Sequence, residues 1–291
     1  MRRIICGIEF EGNVVPDAWD VRKFEVNGHV EISARQVVAW TEIGPVGSEL
    51  PDGYQWDSWD DQKKAERDAL DAAERKEKAL KQSAKRAQTT CRRVIKAEGF
   101  DELLTLTYRE NQSDRALCKE HFEKWYRRMK KALGGFRFCA SFEVQERGAM
   151  HVHVATHRLP VHGDYKGVKI EAWKLGTRIW RDIVGADNGM CFVGGKTRWG
   201  HKRQRMSLGK MAAYVSKYIM KDYADSPEEK NRYSRSNGTV IPKPVLVRLT
   251  GCTLADLISV AFECPDGDVI VSHRIGRWKD SYWLCTEPGA A

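Results

Sequence analysis

Two short stretches carry side chains that can act on a phosphodiester. In ERGAMHVHVATH, residues 146–157, one apolar residue separates His151 from His153. Side chains at i and i+2 of a strand share a face, so this spacing sets two imidazoles side by side, the start of a divalent metal site. Such a site needs at least one more ligand, and Glu143, Gln145, Glu146, His157 and His162 are the near neighbours in sequence. Hairpin parity separates the carboxylates. A three-residue loop, Glu146-Arg147-Gly148 with a left-handed glycine, sets Glu143 opposite His151 on the same face. A two-residue loop hands the role to Glu146.

In KMAAYVSKYIMKDY, residues 210–223, Tyr214 and Tyr218 are four apart and sit one above the other on a helix. Leu208, Met211, Ala212, Val215 and Ile219 form an apolar stripe, and at about 100° per residue the tyrosines fall at its margin. Lys210, Lys217 and Lys221 border them on the other flank. A phenol attacks as phenolate, which is scarce at neutral pH against an ordinary pKa of about 10. Neighbouring ammonium groups favour that form and neutralise a phosphate. Both motifs also have a plain packing use, since helical tyrosines commonly line the edge of a core.

The elements that must hold these groups can be followed along the chain. LLTLTY (103–108) reads as a strand. A helix opens at Ser113 or Asp114, repeats apolar residues at Cys118, Phe122, Trp125, Met129 and Leu133, and stops at Gly134. FRFCASFEV and HVHVATH are two strands around a turn at Arg147-Gly148. EAWKLGTRIWRDIV is a second helix with Trp180 on its apolar face, GMCFV a short strand, and SLGKMAAYVSKYIMKDY a third helix capped by Ser207. This order suits an α+β domain, a central antiparallel sheet flanked by helices. Residues 1–57 alternate as several short strands and close on a loop, 58–89 form a charged, solvated helical spacer, and 246–291 return to strands with one short helix. The domain between them spans 90–245.

The 291 residues carry 49 Lys+Arg against 40 Asp+Glu, a net charge of +9 that favours a polyanionic partner. Eight cysteines contain no CxxC pair, and the start is too short in apolar residues for a signal peptide. Free thiols, all buried as small hydrophobes, in a reduced cytoplasm with no membrane contact are the expectation.

Taken together, HVH and, about sixty residues later, YVSKYIMK resemble the His-hydrophobic-His (HUH) endonuclease superfamily. They resemble more narrowly the rolling-circle replication initiators of small single-stranded DNA phages, whose tyrosine motif has the form YVxKYxxK. LLTLTY, FEVQERGAMHVHVA and NRYSRSNG resemble further family segments, and the likeness covers roughly residues 90–240. The resemblance implies a mid-sheet histidine strand crossed by the tyrosine helix. It implies Mg²⁺ or Mn²⁺ held by His151, His153 and an acidic residue, matched here by Glu143, eight positions before the first histidine. It also implies that Tyr214 and Tyr218, aided by Lys217 and Lys221, cleave and rejoin single-stranded DNA at a replication origin through a 5′-phosphotyrosine, freeing a 3′-OH primer.

KTRWGHKRQRMSLGK (196–210) holds six basic residues and no acid, so Arg198, Lys202, Arg203, Arg205 and Lys210 are candidates for backbone phosphates, with Trp199 for base stacking. GMCFVGGKT encloses five residues where a Walker loop needs four. A helicase, like the DNA polymerase, is therefore expected from a host, within a bacterial cytoplasm if the chain is phage-encoded. A paired-tyrosine transposase, a plasmid initiator and a non-catalytic nucleic-acid-binding protein with a structural metal are the other readings.

Overall fold

A computed structural model describes residues 1–6, 8–45, 58–194, 206–221, 232–264 and 269–289. In chain order the elements begin with β1 (Arg2–Ile5), β2 (Ile8–Val26), β3 (His29–Pro45), α1 (Ser58–Glu98), β4 (Glu102–Tyr108) and α2 (Arg115–Ala132). Then come β5 (Phe138–Val144), β6 (Met150–Thr156), β7 (His162–Tyr165), β8 (Val168–Glu171), α3 (Ala172–Val184) and β9 (Gly189–Val193). The chain ends with α4 (Leu208–Lys221), β10 (Tyr233–Arg235), β11 (Val245–Thr250), α5 (Leu254–Glu263), β12 (Val269–Ile275) and β13 (Ser281–Glu287). It divides into two compact units, Met1–Ala73 with Pro242–Ala291, and Glu74–Ile241.

The second unit is the α+β domain expected. Its sheet runs β10-β5-β6-β4-β9, every pairing antiparallel, with the histidine strand β6 in the middle. One face, through Leu104, Leu106, Phe142, Val152 and Val154, packs on Phe122, Trp125 and Met129 of α2 and Leu175, Ile179 and Trp180 of α3. Asp114 caps α2, its carboxylate accepting from the amides of Ala116 and Leu117 at 2.7 and 3.1 Å. Trp180 is fully buried and donates Nε1–H to the Thr107 carbonyl at 2.9 Å. The opposite face, through Leu103, Cys139 and Ala155, packs on Cys91, Val94 and Ile95 of α1 and Met211, Ala212, Val215 and Ile219 of α4.

The spacer helix departs from expectation. It does not end at 89 but continues to Glu98, where Gly99 at φ 65° closes it with an amide to the Ile95 carbonyl. Residues 72–79 are exposed, as a solvated helix should be, whereas Ala84, Cys91, Val94 and Ile95 are buried. Their spacing of three, four and seven residues makes an apolar stripe that the charges around it obscure.

The first unit corrects the short-strand reading of the N-terminus. β2 and β3 are single strands of 19 and 17 residues joined at Asn27-Gly28, both with positive φ, the two-residue turn that matches strand twist. A bulge between Val14 and Trp19, with Asp17 at φ 50°, breaks the alternation without ending the strand. The two terminal segments share one six-stranded sheet: β11 pairs with β2 and β13 with β3, while β12 forms an edge. α5 covers one face with Leu257 and Ala261 against Trp19, Ile32, Ala34, Tyr282 and Leu284.

All eight cysteines are free, yet Cys6 and Cys264 are exposed and Cys252 half-buried, so only five follow the buried reading. The exceptions lie beside turns or helix ends of the first unit, where little covers them. Among the described residues no helix is long and apolar enough to cross a membrane.

Candidate active site

The register between β5 and β6 assembles the site. Glu143 pairs with His151 and Ser141 with His153, and the amide of Gly148, at φ 84°, reaches the Gln145 carbonyl at 2.8 Å. This is the three-residue loop, so Glu143 and both histidines share one face while Glu146 stands exposed in the turn. Ligand atoms of Glu143, His151 and His153, one from each, lie within 4.8 Å of one another. Adjacent ligands around an octahedral ion with bonds of about 2.1 Å stand about 3 Å apart, and opposite ones about 4.2 Å. The set therefore fits a divalent cation after a small inward adjustment, and the Glu143 Oε2–His153 Nε2 contact of 2.9 Å already has an adjacent-ligand spacing. His157 sits instead near Glu98, and His162 is exposed on β7.

Electrostatics favours the ligand forms of this set. Burial, reinforced by the neighbouring His153, pulls the His151 imidazole down to about 4, so it is neutral at pH 7 with a lone pair to donate. Burial opposes the Glu143 carboxylate, but hydrogen bonds with His153 and Lys221 outweigh it and hold the carboxyl below its ordinary range. Lys221 Nζ donates to Glu143 Oε1 at 2.9 Å, leaving Oε2 for the imidazole side.

α4 brings the phenols to the histidines. Ser207 caps it as read, its Oγ accepting from the Lys210 amide at 3.3 Å and its carbonyl from Met211 at 2.9 Å. The Tyr218 ring stacks on the His153 ring, centroids 4.3 Å apart and planes 14° apart, while Tyr214 meets the same imidazole edge-on at 5.2 Å. The two phenol rings are 5.3 Å apart, and Lys217 Nζ lies 4.7 Å from each. They are not equivalent. Tyr218 is buried, deeper than the margin its spacing implies, whereas Tyr214 is half-exposed. Burial, the hydrogen bond to Tyr214 and the nearby Glu143 charge push the Tyr218 phenol well above its ordinary range. Lys210 is exposed on the first turn of α4, outside this set of contacts. Arg198, Lys202, Arg203, Arg205 and Trp199 lie outside the described residues.

One member of the site escaped the sequence reading. Thr105 of β4 pairs with His153, and its Oγ1 lies 3.3 Å from His153 Nδ1. Thr107 pairs with His151 in the same way and donates to the Met190 carbonyl. Period two in LLTLTY puts both threonines on one face, and that alternation was the available signal. Beyond them on β9, Phe192 and Met190 continue the face, each about two-fifths exposed.

A neutral imidazole pair, a carboxylate, two phenols and an ammonium group thus converge on one exposed sheet face. Residues 101–223, somewhat under half of the chain, match the family model for replication-associated proteins of the ORF2 type. No curated protein and no solved structure matches the chain.

Proposed function

We propose that the match to replication-associated proteins extends to chemistry: the chain is a rolling-circle replication initiator that nicks and rejoins single-stranded DNA. The observation that carries this reading is the packing of both Tyr214 and Tyr218 on His153 of the Glu143–His151–His153 cluster. Glu143, His151 and His153 would hold Mg²⁺ or Mn²⁺, and the two imidazole donors favour Mn²⁺. Bound there, the cation would supply Lewis acidity and a template for the scissile phosphate.

This chain's own groups do the rest. A tyrosine oxygen attacks phosphorus as the bond to the 3′ oxygen breaks, the phenol proton leaves, and the departing 3′ oxygen takes up a proton. The products are a 5′-phosphotyrosine and a 3′-OH. Lys217, equidistant from both rings, favours either phenolate and offsets phosphate charge. Lys221 steadies the carboxylate from its far oxygen. Lys210 and, from the sequence, Arg198, Lys202, Arg203 and Arg205 engage the strand's phosphates. With two phenols beside one imidazole, one tyrosine can hold a strand end while the other attacks, the requirement for closing a unit-length circle. A host helicase and polymerase complete the cycle.

The test is an origin-like single strand incubated with Mn²⁺ and the full chain. A covalent protein–DNA band on a denaturing gel is expected, and trypsin separates the two candidates, since MAAYVSK carries Tyr214 and YIMK carries Tyr218. A mobility shift with no covalent band leaves a nucleic-acid-binding protein and removes the nuclease.

A further inference from the structure

We infer that the first unit is a second binding site, for single-stranded nucleic acid, lying outside residues 101–223 and independent of the nicking chemistry. The six-stranded sheet has an apolar face under α5 and an opposite face of different character. Register places Arg22, Ser33, Trp283 and Arg274 in one row across β2, β3, β13 and β12. The next row holds Arg248, Asp20, Arg35 and Ser281. Arg248 is occupied by Asp20, at 2.8 and 3.2 Å. Arg22, Arg35 and Arg274 are exposed, and among the described residues none makes a salt bridge. Three guanidiniums in about 14 Å, the width of three strand spacings, make a concentrated positive field.

Two further features point to unpaired bases. The β12–β13 turn, closed by the Lys279 amide on the Gly276 carbonyl at 2.9 Å, carries Arg277 and Trp278 at its corners. Trp278 is 78% exposed, with the Arg277 guanidinium 5.3 Å from its ring. A large aromatic held in water by a short turn and flanked by cations is a stacking surface for a base, not part of a core. Beside it a cavity of about 280 Å³ opens at Arg35, lined by Gln36, Val38, Asp280 and Ser281. The Gln36 amide bonds the Asp280 carbonyl at 2.9 Å, which ties the turn to the arginine face. Arginines on one surface and an exposed indole at its rim take phosphates and a base from the same strand. A duplex, whose bases are already stacked, offers Trp278 nothing.

The test uses the full chain, without divalent metal, and a 20-nucleotide single strand of arbitrary sequence, with affinity measured by fluorescence anisotropy across salt concentrations. For single strands log K falls by about 0.7 per phosphate contact per decade of salt. The triple variant R22Q/R35Q/R274Q should therefore lower the salt slope by about 2 and weaken binding about a hundredfold at 0.1 M salt. W278A, at a position where truncation spares the fold, should weaken single-strand binding about tenfold with the slope unchanged. Photocrosslinking with bromouracil-substituted strands should label residues 269–289. Thermal melts equal to the parent's show that the variants are folded, and an undiminished covalent adduct on a short nick-site strand separates this site from the nicking site. Parent-like affinity and slope in the triple variant, or crosslinks confined to 101–223, overturn the proposal. Equal losses for duplex and single strand overturn the single-strand assignment.

Discussion

Thr105→Val isolates what the threonine beside His153 contributes. With Nε2 facing the Glu143 carboxylate at 2.9 Å, the neutral ring carries its proton on Nε2, and Nδ1 accepts from Thr105 Oγ1 at 3.3 Å. Binding a cation through Nε2 moves the proton to Nδ1, and the same hydroxyl must then accept. A hydroxyl rotor serves both states, whereas valine, of the same shape, serves neither. Its loss leaves an N–H without its partner beside a buried imidazole, and removing such partners of ligating histidines weakens metal affinity about 10- to 100-fold, about 1.4–2.7 kcal/mol. Global stability should fall by only about 1 kcal/mol, the worth of one hydrogen bond. Titration of Mn²⁺ into the full chain by calorimetry, or by loss of the free-ion electron paramagnetic signal, reads the effect directly. Thr105→Ser should restore affinity. Thr107→Val, which removes a hydroxyl bonded to a carbonyl rather than to a ring, should leave it unchanged. Parent-like affinity in Thr105→Val, or an equal loss in Thr107→Val, would refute the tautomer argument.

Glu143→Ala should abolish measurable Mn²⁺ binding while Glu146→Ala leaves it intact; the reverse ranking in the same titration removes Glu143 from the ligand set. Tyr218→Phe should keep most nicking of an oligonucleotide because half-exposed Tyr214 remains, Tyr214→Phe should nick more slowly, and the double variant should form no adduct. Loss of circle closure in both single variants is expected in a replication assay, and normal closure in either argues for a single working tyrosine. Glu98 receives Arg137 Nε at 2.7 Å, and that bond, helped by Thr239 and His157, holds its carboxyl below the ordinary range against a smaller burial effect. A depressed carboxyl stabilises the fold above its unfolded pKa of about 4.3 and loses that contribution as pH falls through its lower folded value. The melting temperature gap between the parent and Arg137→Met should therefore be open at pH 6 and close in acid below pH 4; a gap constant with pH contradicts the ion pair's role.

Local periodicity exposed much of the site because its members are close in sequence. Glu143, His151 and His153 lie within eleven residues, so one hairpin parity and one glycine settle their common face. Thr105 belongs to the same face but reaches it through a pairing 48 residues away, and alternation in LLTLTY says only that Thr105 and Thr107 agree with each other. The first unit shows the limit more sharply. β11 pairs with β2 across more than two hundred residues, Arg248 with Asp20 among them, and nothing in either segment's own pattern selects the other. α1 was cut short for a different reason: its charged surroundings dilute a stripe that only burial reveals.

What the separate periods could not say is that the histidine face and the tyrosine face meet, and the reason they do lies in the apolar residues beside them. Cys139, Glu143 and Ser141 share a side of β5, as Ala155 and His153 share a side of β6. Met211, Ala212, Val215 and Ile219 of α4 bury themselves on Cys139 and Ala155. Burying that stripe is favourable by about 25 cal/mol per Å² and has no chemical content of its own. Yet once it is seated, the strand positions one step further along, Glu143 and His153, must lie under the helix residues bordering the stripe. Those are Tyr214, Lys217, Tyr218 and Lys221. The chemistry therefore depends on a packing register, and enlarging Ala155 or Ala212 should displace the phenols from His153 without touching any polar group. A variant such as Ala155→Leu ought to keep Mn²⁺ affinity, set by β5 and β6 alone, and lose adduct formation.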